Sequence, residues 1–331
     1  MDERSKRAQM ERKRRTRRKK QRRRVLISAL VEVLILAVLA LTLCWDRGLS
    51  AKVSGVLGIF DRPPVTELDV SGVNSSNVLL MDVKSGKVIG NLNGEEQIYP
   101  ASMTKIMTAI VALEAFSDLD HEITLSENIF YALDGQDATQ AGFQPGESVR
   151  VRDLVYGVML PSGAECCLAL ADEVSGSEEA FVEKMNKKAK SIGMKDTHFM
   201  DCTGLHDPEH YSTAYDIALL LKYALHNDTF REVAESHFHS TPATNVHPDG
   251  ITYYGTMFKN MSDTSVTGGE ILGGKTGYTS EAGHCLASFA QIYGREYILV
   301  TAGAAADATG VPHILDAKTI YNRLGEAVAQ K

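Results

Sequence analysis

Cysteine is scarce in this chain, which has five among its 331 residues. The number is odd, and no spacing among the cysteines is typical of a zinc site. We therefore expect buried free thiols that pack as small apolar side chains. The alternative is a disulfide between Cys202 and one of the adjacent residues Cys166 and Cys167, which an oxidising compartment would permit.

Histidine patterns that could bind a metal are equally weak. His206 and His210 lie four residues apart, and His237 and His239 lie two apart. Such spacings could be read as pairs of ligands, but nothing else in the sequence completes a metal site. We predict no metal and no other cofactor.

Basic residues are unevenly distributed. Residues 1–24 contain 14 Lys and Arg against three acidic residues, a net charge of +11. The other 307 residues contain 21 basic and 39 acidic groups, a net charge of −18. A basic arm can indicate nucleic-acid binding. The segment that follows argues against it, so we predict no nucleic-acid partner.

That segment, residues 25–45, is a run of 21 residues whose only charged member is Glu32. As a helix it would be about 31 Å long, enough to cross a bilayer. The preceding basic arm predicts that the N-terminus is cytoplasmic. We predict an uncleaved signal-anchor that contacts membrane lipid, and a single-pass protein whose remaining chain lies outside the cell membrane. The alternative is a cleaved signal peptide, whose apolar region is normally shorter.

Four segments follow from these patterns. Residues 1–24 form a cytoplasmic arm and residues 25–45 the span. Residues 46–68, which contain three glycines and a Pro-Pro pair without a sustained period, form a linker. Residues 69–331 are long enough for one folded domain with a substantial core.

The first chemical motif is Ser102-Met103-Thr104-Lys105, at the start of an apolar helical pattern. Residues three apart on a helix share a face, about 5–6 Å apart at Cβ. Ser102 can therefore act as a nucleophile with Lys105 as its base. A lysine becomes a base when burial and a neighbouring cation lower its pKa, and Lys275 is the candidate cation.

A second motif, Lys275-Thr276-Gly277, lies in a glycine-rich segment whose pattern predicts a strand. Glycines at an edge strand let a substrate backbone approach closely. The N–H of Tyr278 could join that of Ser102 in an oxyanion hole. With a Ser-Gly pair at Ser162 between them, the two motifs predict an active-site serine acyltransferase.

With these motifs in this order, the chain closely resembles the low-molecular-weight penicillin-binding proteins, serine D-alanyl-D-alanine carboxypeptidases of peptidase family S11. The resemblance runs from about Asn77 to the C-terminus. The family's segments are matched by residues 99–105, 159–163, 181–186, 203–205, 210–214, 274–279 and 316–318. It implies that Ser162 relays a proton to the leaving amine and that Lys275 and Thr276 hold the substrate's terminal carboxylate.

Two positions depart from the family. Its second motif is usually S-G-N, whereas here it is Ser162-Gly163-Ala164. Many relatives also carry an arginine associated with the substrate's terminal carboxylate. The equivalent stretch of this chain has His313 instead. Histidine offers a cation or a neutral donor but no bidentate fork. Acylation is therefore expected, while turnover and substrate preference depend on these two positions.

The pattern of elements predicts an α/β fold of the α+β type. Residues 77–83 and 87–92 read as a β-hairpin, and strands return over 270–303. Between them we predict helices over 102–117, 152–160, 165–175, 178–192 and 213–226, and a last helix over 312–328. The sheet is then built from both ends of the chain, as in the β-lactamase/transpeptidase-like fold that the resemblance implies: an antiparallel sheet flanked by helices, with an N-terminal transmembrane helix.

We expect a membrane-anchored, β-lactam-sensitive serine carboxypeptidase that removes the terminal D-alanine of peptidoglycan stem pentapeptides. Gly277 would admit the substrate backbone, and β-lactams would acylate Ser102. The alternative is a penicillin-binding or wall-binding homologue with little turnover, because Ala164 replaces the asparagine. A β-lactamase is disfavoured, since no E-x-x-x-N segment with a deacylation base lies between the second and third motifs.

Overall fold

The computed structural model describes residues 64–261 and 263–330. The strands are β1 (Asn77–Asp82), β2 (Val88–Leu92), β3 (Gln97–Ile98), β4 (Glu122–Thr124), β5 (Ser148–Arg150), β6 (Ser212–Thr213), β7 (Phe238–Ser240), β8 (Thr252–Tyr254), β9 (Ser265–Val266), β10 (Gly269–Thr279), β11 (Gly283–Ile292) and β12 (Arg295–Ala304). The helices are α1 (Lys105–Ala115), α2 (Glu127–Leu133), α3 (Val151–Met159), α4 (Ala164–Ser175), α5 (Glu178–Ile192), α6 (Ala214–Ala224), α7 (Asp228–Glu235), α8 (Thr256–Lys259) and α9 (Pro312–Ala329). A 3₁₀ turn, Ala101–Thr104, precedes α1.

Six strands form the main sheet, in the order β2-β1-β12-β11-β10-β9. Every neighbouring pair is antiparallel. Strands from the two ends of the described chain therefore meet within one sheet, where β1 pairs with β12. The predicted α+β fold with an antiparallel sheet flanked by helices is confirmed.

The sheet separates two apolar cores. Along β1, Leu79 and Met81 pack into the core on the side of α1, α3, α4 and α6, whereas Val78 and Leu80 pack on the side of α9. Successive residues of a strand point to opposite faces. A strand covered on both faces therefore reads as a continuous apolar run, as residues 78–81 do.

The sequence predicts the long elements well. The β1–β2 hairpin, the five central helices and the last helix all lie within a few residues of their expected bounds. The predicted 102–117 helix opens with the 3₁₀ turn. The short helices α2 and α7 and the small two-stranded sheets β3–β6, β4–β5 and β7–β8 were not predicted, because segments of this length carry little periodicity.

The N-terminal predictions fall mostly outside the described residues. The basic arm over 1–24 and the span over 25–45 lie there entirely, and both stay predictions. Between residues 64 and 330, as far as the structure describes them, no helix combines the length and apolar character needed to cross a bilayer. Within the predicted linker, Val65 is buried in the core beside α9, and the Leu68 N–H donates to the Ile89 carbonyl.

Candidate active site

Ser102 and Lys105 meet at the junction of the 3₁₀ turn and α1. Lys105 Nζ lies 3.1 Å from Ser102 Oγ and donates a second hydrogen bond, of 2.5 Å, to the Thr203 carbonyl. Lys105 is 3% exposed, while Ser102 is partly open to the cleft described below. The predicted pair of nucleophile and base is therefore in contact.

Backbone constraints hold this turn in place. Ala101, immediately before Ser102, has a φ of 46°, which L-residues rarely adopt. Gly204 has a φ of 79°, and a Cβ there would lie 2.0 Å from the Ala101 carbonyl oxygen. Glycine at position 204 thus lets the loop at Thr203 approach the turn closely enough to receive Lys105.

A buried hydrogen-bond network holds the Ala101–Thr104 turn in place. His210 Nε2 lies 2.8 Å from Thr104 Oγ1, and His210 Nδ1 lies 3.0 Å from Asp201 Oδ2. Burial alone would raise the pKa of Asp201, but hydrogen bonds from His210 and Thr203 outweigh it and lower the pKa to about 2. Asp201 therefore remains a carboxylate that fixes both His210 and the Thr203 loop.

The second motif joins the third. Ser162 lies between α3 and α4, is 8% exposed and has a φ of 70°. Its Oγ accepts a hydrogen bond of 3.0 Å from Lys275 Nζ. A residue other than glycine with such a φ persists only where its surroundings enforce it, and such positions are common at active sites.

Lys275 lies behind the cleft. It is 2% exposed, and its ammonium donates to Ser162 Oγ and, at 2.9 Å, to the Thr276 carbonyl. Burial, together with the nearby charge of Lys105, holds the pKa of Lys275 well below its usual range. Lys105 is thus close enough to Lys275 to disfavour the charged form of Lys275.

The third motif lies on a free stretch of sheet edge. β9 pairs with β10 only at Gly269 and Glu270, so the part of β10 that carries Thr276 to Tyr278 has no strand on that side among the described residues. A Cβ at Gly277 would lie 3.0 Å from the backbone nitrogen of Ser102. The edge backbone and the Ser102 N–H are therefore adjacent, as an oxyanion hole requires.

Ala164 is the first residue of α4 and is fully buried. Its N–H donates to the Thr139 carbonyl at 2.8 Å. The next residue, Glu165, is also buried, and its Oε1 accepts the N–H groups of Ala141 and Gly142. Burial raises the pKa of Glu165. Glu165 thus fastens the 139–142 loop to α4, and it does not replace the missing amide.

His313 lies in the first turn of α9, beside β11. The rings of His313 and His284 are parallel within 5° at a centroid distance of 5.0 Å, and His284 also contacts the Tyr278 ring at 4.5 Å. His313 is 3% exposed, and its Nδ1 has no hydrogen-bond partner in the described chain. Burial, and next the proximity of His284, lower the pKa of His313 to about 4.

These elements enclose one cleft of about 390 Å³. The predicted site residues that line it are Ser102, Ser162, Thr276, Gly277, Tyr278 and His313. Lys105 and Lys275 reach it only through the two serine hydroxyls. Thr276 to Tyr278 all line it although they are consecutive, because the wall here is the edge of a strand.

The cleft also has walls that no motif predicted. They come from Asp137, Thr139, Thr256, Asn260, His284 and Gly310, while Pro161 belongs to the matched segment 159–163. Most of these residues belong to loops or to the short helix α8, and none stands in a pattern that carries chemistry. By contrast, the Asp201–His210 support could have been suspected from the matched segments 203–205 and 210–214.

The remaining cysteines and histidines have the following surroundings. Cys166, Cys167, Cys202 and Cys285 are free and buried, as expected, and Cys44 lies outside the described residues. The His206 ring contacts the Tyr99 ring edge to face, the His237 ring stacks on Phe258, and His239 Nε2 lies 2.7 Å from Asp153 Oδ1. Within the described ranges, no group of three or more His, Cys, Asp or Glu could hold a metal ion.

Comparison with known proteins places these features in context. The family model described as D-alanyl-D-alanine carboxypeptidase, peptidase S11, matches residues 65–306. The D-alanyl-D-alanine carboxypeptidase DacF of Bacillus subtilis (strain 168) is 34% identical over 235 residues, which cover 70% of this chain and 58% of the relative. DacC of Escherichia coli (strain K12) is 32% identical over 264 residues, covering 72% and 59%.

A solved structure has a similar fold. The Streptomyces K15 DD-transpeptidase superposes with a TM-score of 0.68 at 26% identity, over 81% of this chain and all of that one. The chain spans less than two thirds of the length of the curated carboxypeptidases above. These relatives are named as enzymes, which does not favour a homologue with little turnover. By its motifs, its fold and its matched range, the chain belongs to the D-alanyl-D-alanine carboxypeptidase family, peptidase S11.

Proposed function

We propose that this protein is a serine D-alanyl-D-alanine carboxypeptidase that removes the terminal D-alanine of peptidoglycan stem peptides through an acyl-enzyme. The observation that carries the proposal is the pair of lysine–serine contacts in one cleft: Lys105 Nζ to Ser102 Oγ at 3.1 Å and Lys275 Nζ to Ser162 Oγ at 3.0 Å. A serine hydroxyl needs a base within hydrogen-bond reach to act as a nucleophile, and Lys105 meets this condition.

Acylation begins when Ser102 Oγ attacks the carbonyl carbon between the two D-alanines. Neutral Lys105 accepts the hydroxyl proton as the C–O bond forms. The N–H groups of Ser102 and Tyr278 stabilise the oxyanion, which costs no reorganisation because both belong to fixed backbone.

The tetrahedral intermediate collapses when the C–N bond breaks. The leaving amine receives the proton that Ser102 lost, and Ser162 passes it on from a position fixed by Lys275. D-alanine departs and an ester on Ser102 remains. Water then attacks the ester carbonyl, the serine regains its proton, and the shortened peptide is released. In a transpeptidation, an amine would replace this water.

The substrate's terminal carboxylate lies at the end of the cleft that Thr276 and His313 line. Thr276 lines the cleft, whereas Lys275 lies behind it and donates to Ser162 Oγ. The free edge of β10 offers backbone groups to an extended peptide. β-Lactams resemble the acylating substrate in carrying a carbonyl and a carboxylate, so they would acylate the same serine.

Two measurements test this function. Intact-mass spectrometry of the full-length protein with a penicillin should show a one-to-one adduct, absent in Ser102→Ala and retained in Ser191→Ala, which changes an exposed serine at the end of α5. Incubation with a peptide ending in D-Ala-D-Ala should release D-alanine. A wild-type protein that forms no adduct and releases no D-alanine would rule the function out.

We also propose that residues 25–45 anchor the protein in the cell membrane, with residues 1–24 in the cytoplasm and the peptidase domain outside. The apolar run and the basic arm before it support this topology. Peptidoglycan lies outside the membrane, which is where the proposed activity requires the domain. The full-length protein should sediment with membranes at high salt, and added protease should digest its domain in spheroplasts. Recovery in the soluble fraction would refute the anchor.

A further inference from the structure

We infer that Asp137 is a specificity residue, whose carboxylate binds a free amine on a side chain of the stem peptide ahead of the two D-alanines. The cleft would then select peptides that carry a cationic side chain at that place. The inference rests on the proposed function and deepens it, because it names a second chemical group that the cleft recognises. It concerns the wall that contains Asp137 and Thr139, which no motif predicted.

Asp137 brings a lone negative charge to the cleft. Among the described residues that line the cleft, none is Glu, Lys or Arg, and Asp137 is the only aspartate. Lys105 and Lys275 are buried behind the cleft, and each already donates to a serine hydroxyl. The surface that a substrate meets therefore has a fixed carboxylate but no lysine or arginine that would neutralise it.

The carboxylate of Asp137 has no partner in the described protein. Asp137 is exposed, and it forms no hydrogen bond or ion pair with another described residue. Several other exposed aspartates accept the backbone N–H of the residue two positions later, which is a common way of closing a turn. These are Asp69, Asp118, Asp263 and Asp307. Asp137 closes no turn in this way, so local structure does not account for its side chain.

The backbone on both sides of Asp137 is held in place. Before it, the Gln136 N–H donates to the Leu133 carbonyl at 3.1 Å. After it, the Thr139 carbonyl accepts the Ala164 N–H at 2.8 Å. A binding group on a backbone that is already ordered loses less conformational entropy when a ligand arrives. Asp137 thus combines an unpaired carboxylate with a fixed position.

The loop of Asp137 lies against the second motif. A Cβ at Gly163 would lie 2.8 Å from the Ala141 Cβ and 3.0 Å from the Ala141 nitrogen, so the turn after Ser162 is in close contact with this loop. The end of the cleft assigned above to the terminal carboxylate is built instead by β10 and α9. A carboxylate repels another carboxylate, so the partner of Asp137 belongs to the rest of the substrate.

The substrate offers one chemical group that fits. Stem peptides of peptidoglycan carry a diamino acid ahead of the two D-alanines, and a free side-chain amine is cationic at neutral pH. Ammonium and carboxylate groups form charge-assisted hydrogen bonds, which are stronger than those between neutral groups. The amine sits on a flexible aliphatic chain, so it can reach the wall at Asp137 from a peptide that lies along the edge of β10.

The test compares two peptides that differ only in the side-chain amine. One is Nα-acetyl-Lys-D-Ala-D-Ala, with a free amine, and the other is its Nα,Nε-diacetyl form, in which the amine is a neutral amide. The ratio of their kcat/KM values isolates the amine, because both peptides share the acylation chemistry. With the full-length wild-type protein we expect the free amine to be preferred about fivefold, as for a strong solvent-accessible ion pair. The ratio should fall towards one in about 0.5 M salt.

Three variants sharpen the result. In Asp137→Asn the ratio should fall to about one, through slower cleavage of the free-amine peptide. In Asp137→Lys the preference should reverse, because the ammonium of the peptide is then repelled. Asp134→Asn is the matched control, since it removes the same charge from an exposed aspartate at the end of α2 that does not line the cleft. It should keep the wild-type ratio.

The outcomes separate the two proposals. A wild-type ratio near one, with D-alanine released from both peptides, overturns the amine subsite and leaves the proposed function standing. A wild-type preference that persists in Asp137→Asn, or that is lost equally in Asp134→Asn, also overturns it. An equal loss with both peptides in Asp137→Asn would show a merely structural role, with the same consequence. If neither peptide is cleaved and penicillin forms no adduct, both proposals fall.

Discussion

The two ends of the cleft differ in how their polar side chains are held. At one end Lys105, Ser102, Ser162 and Lys275 are joined by hydrogen bonds, and both lysines are additionally bound to backbone carbonyls. At the other end His313 is buried with an unpartnered nitrogen. The first end has its hydrogen bonds in place before substrate arrives, as proton transfer requires, whereas at the second a buried nitrogen has no partner among the described residues.

This difference matches the two tasks of a peptidase. Chemistry gains from groups fixed at short distances, because misplacement of about 1 Å can cost about 10² in rate. A site that binds a charged terminus can instead leave a polar group unpaired until the ligand arrives, because the hydrogen bond formed on binding then offsets the cost of burying that group. The largest losses should therefore come from the preorganised end.

Lys105→Met should cause the largest loss. Methionine keeps the length and apolar stem of the side chain but removes the base from Ser102. We expect the rate of acylation by penicillin to fall about 10³-fold, in the range typical of a lost general base. Stopped-flow or quenched-flow mass spectrometry measures this rate. Lys187→Ala, on the exposed face of α5, is the control. A loss of less than tenfold in Lys105→Met would assign the base elsewhere.

Gly277→Ala should come next. The new Cβ would lie 3.0 Å from the Ser102 nitrogen and 3.2 Å from the Pro100 carbonyl oxygen, so the strand edge and the 3₁₀ turn must separate. We expect acylation to slow by about 10²-fold with little change in thermal stability. Gly294→Ala is the contrasting control, since it places a Cβ in open space at a positive φ far along the β11–β12 hairpin. It should lower the melting temperature and leave acylation unchanged, and the opposite pattern would contradict the geometry.

The preorganised end was also the more predictable from sequence. Ser102 and Lys105 are three residues apart, so helical geometry alone brings them together. The contact between Lys275 and Ser162 joins residues 113 positions apart, and the order of the motifs did not predict it. His284 could not have been predicted, because its position follows from the register that places it opposite Tyr278.

The same distinction applies to the fold. Elements with several turns or a long apolar run were located within a few residues, since burial on one or both faces imposes a period. The loops that wall the cleft have no period, and their placement depends on tertiary contacts such as those of Glu165 with the 141–142 backbone. The sequence alone shows that Ala164 replaces the family's asparagine, but it does not show which residues surround Ala164.

Asp201→Asn should weaken the support beneath the turn. The pKa of Asp201 in the folded protein is about 2, below its ordinary value near 3.8, so the ionised carboxylate stabilises the fold above about pH 4. This contribution is lost as pH falls towards 2. We expect the variant to be less stable by roughly 2 kcal/mol at pH 7.

Urea unfolding at several pH values checks this directly. The difference between wild type and Asp201→Asn should be constant above about pH 4 and shrink towards pH 2. Comparing the two proteins at each pH cancels the titration of other acids. A difference that does not change between pH 5 and pH 2 would mean that the carboxylate charge is not what holds His210 and the Thr203 loop.

Ala164→Asn should have the smallest effect on acylation. The family usually has an asparagine at this position, but here Lys105 already donates to Ser102 Oγ and the Thr203 carbonyl without it. Ala164 is also fully buried, so an added amide must find partners or cost about 1–3 kcal/mol. We therefore expect acylation by penicillin within about threefold of wild type and a lower melting temperature. Mass spectrometry and thermal unfolding of the same preparation measure both quantities. A sharp rise in D-alanine release would show instead that the wild-type site lacks a group it needs, and that its preorganised end is incomplete.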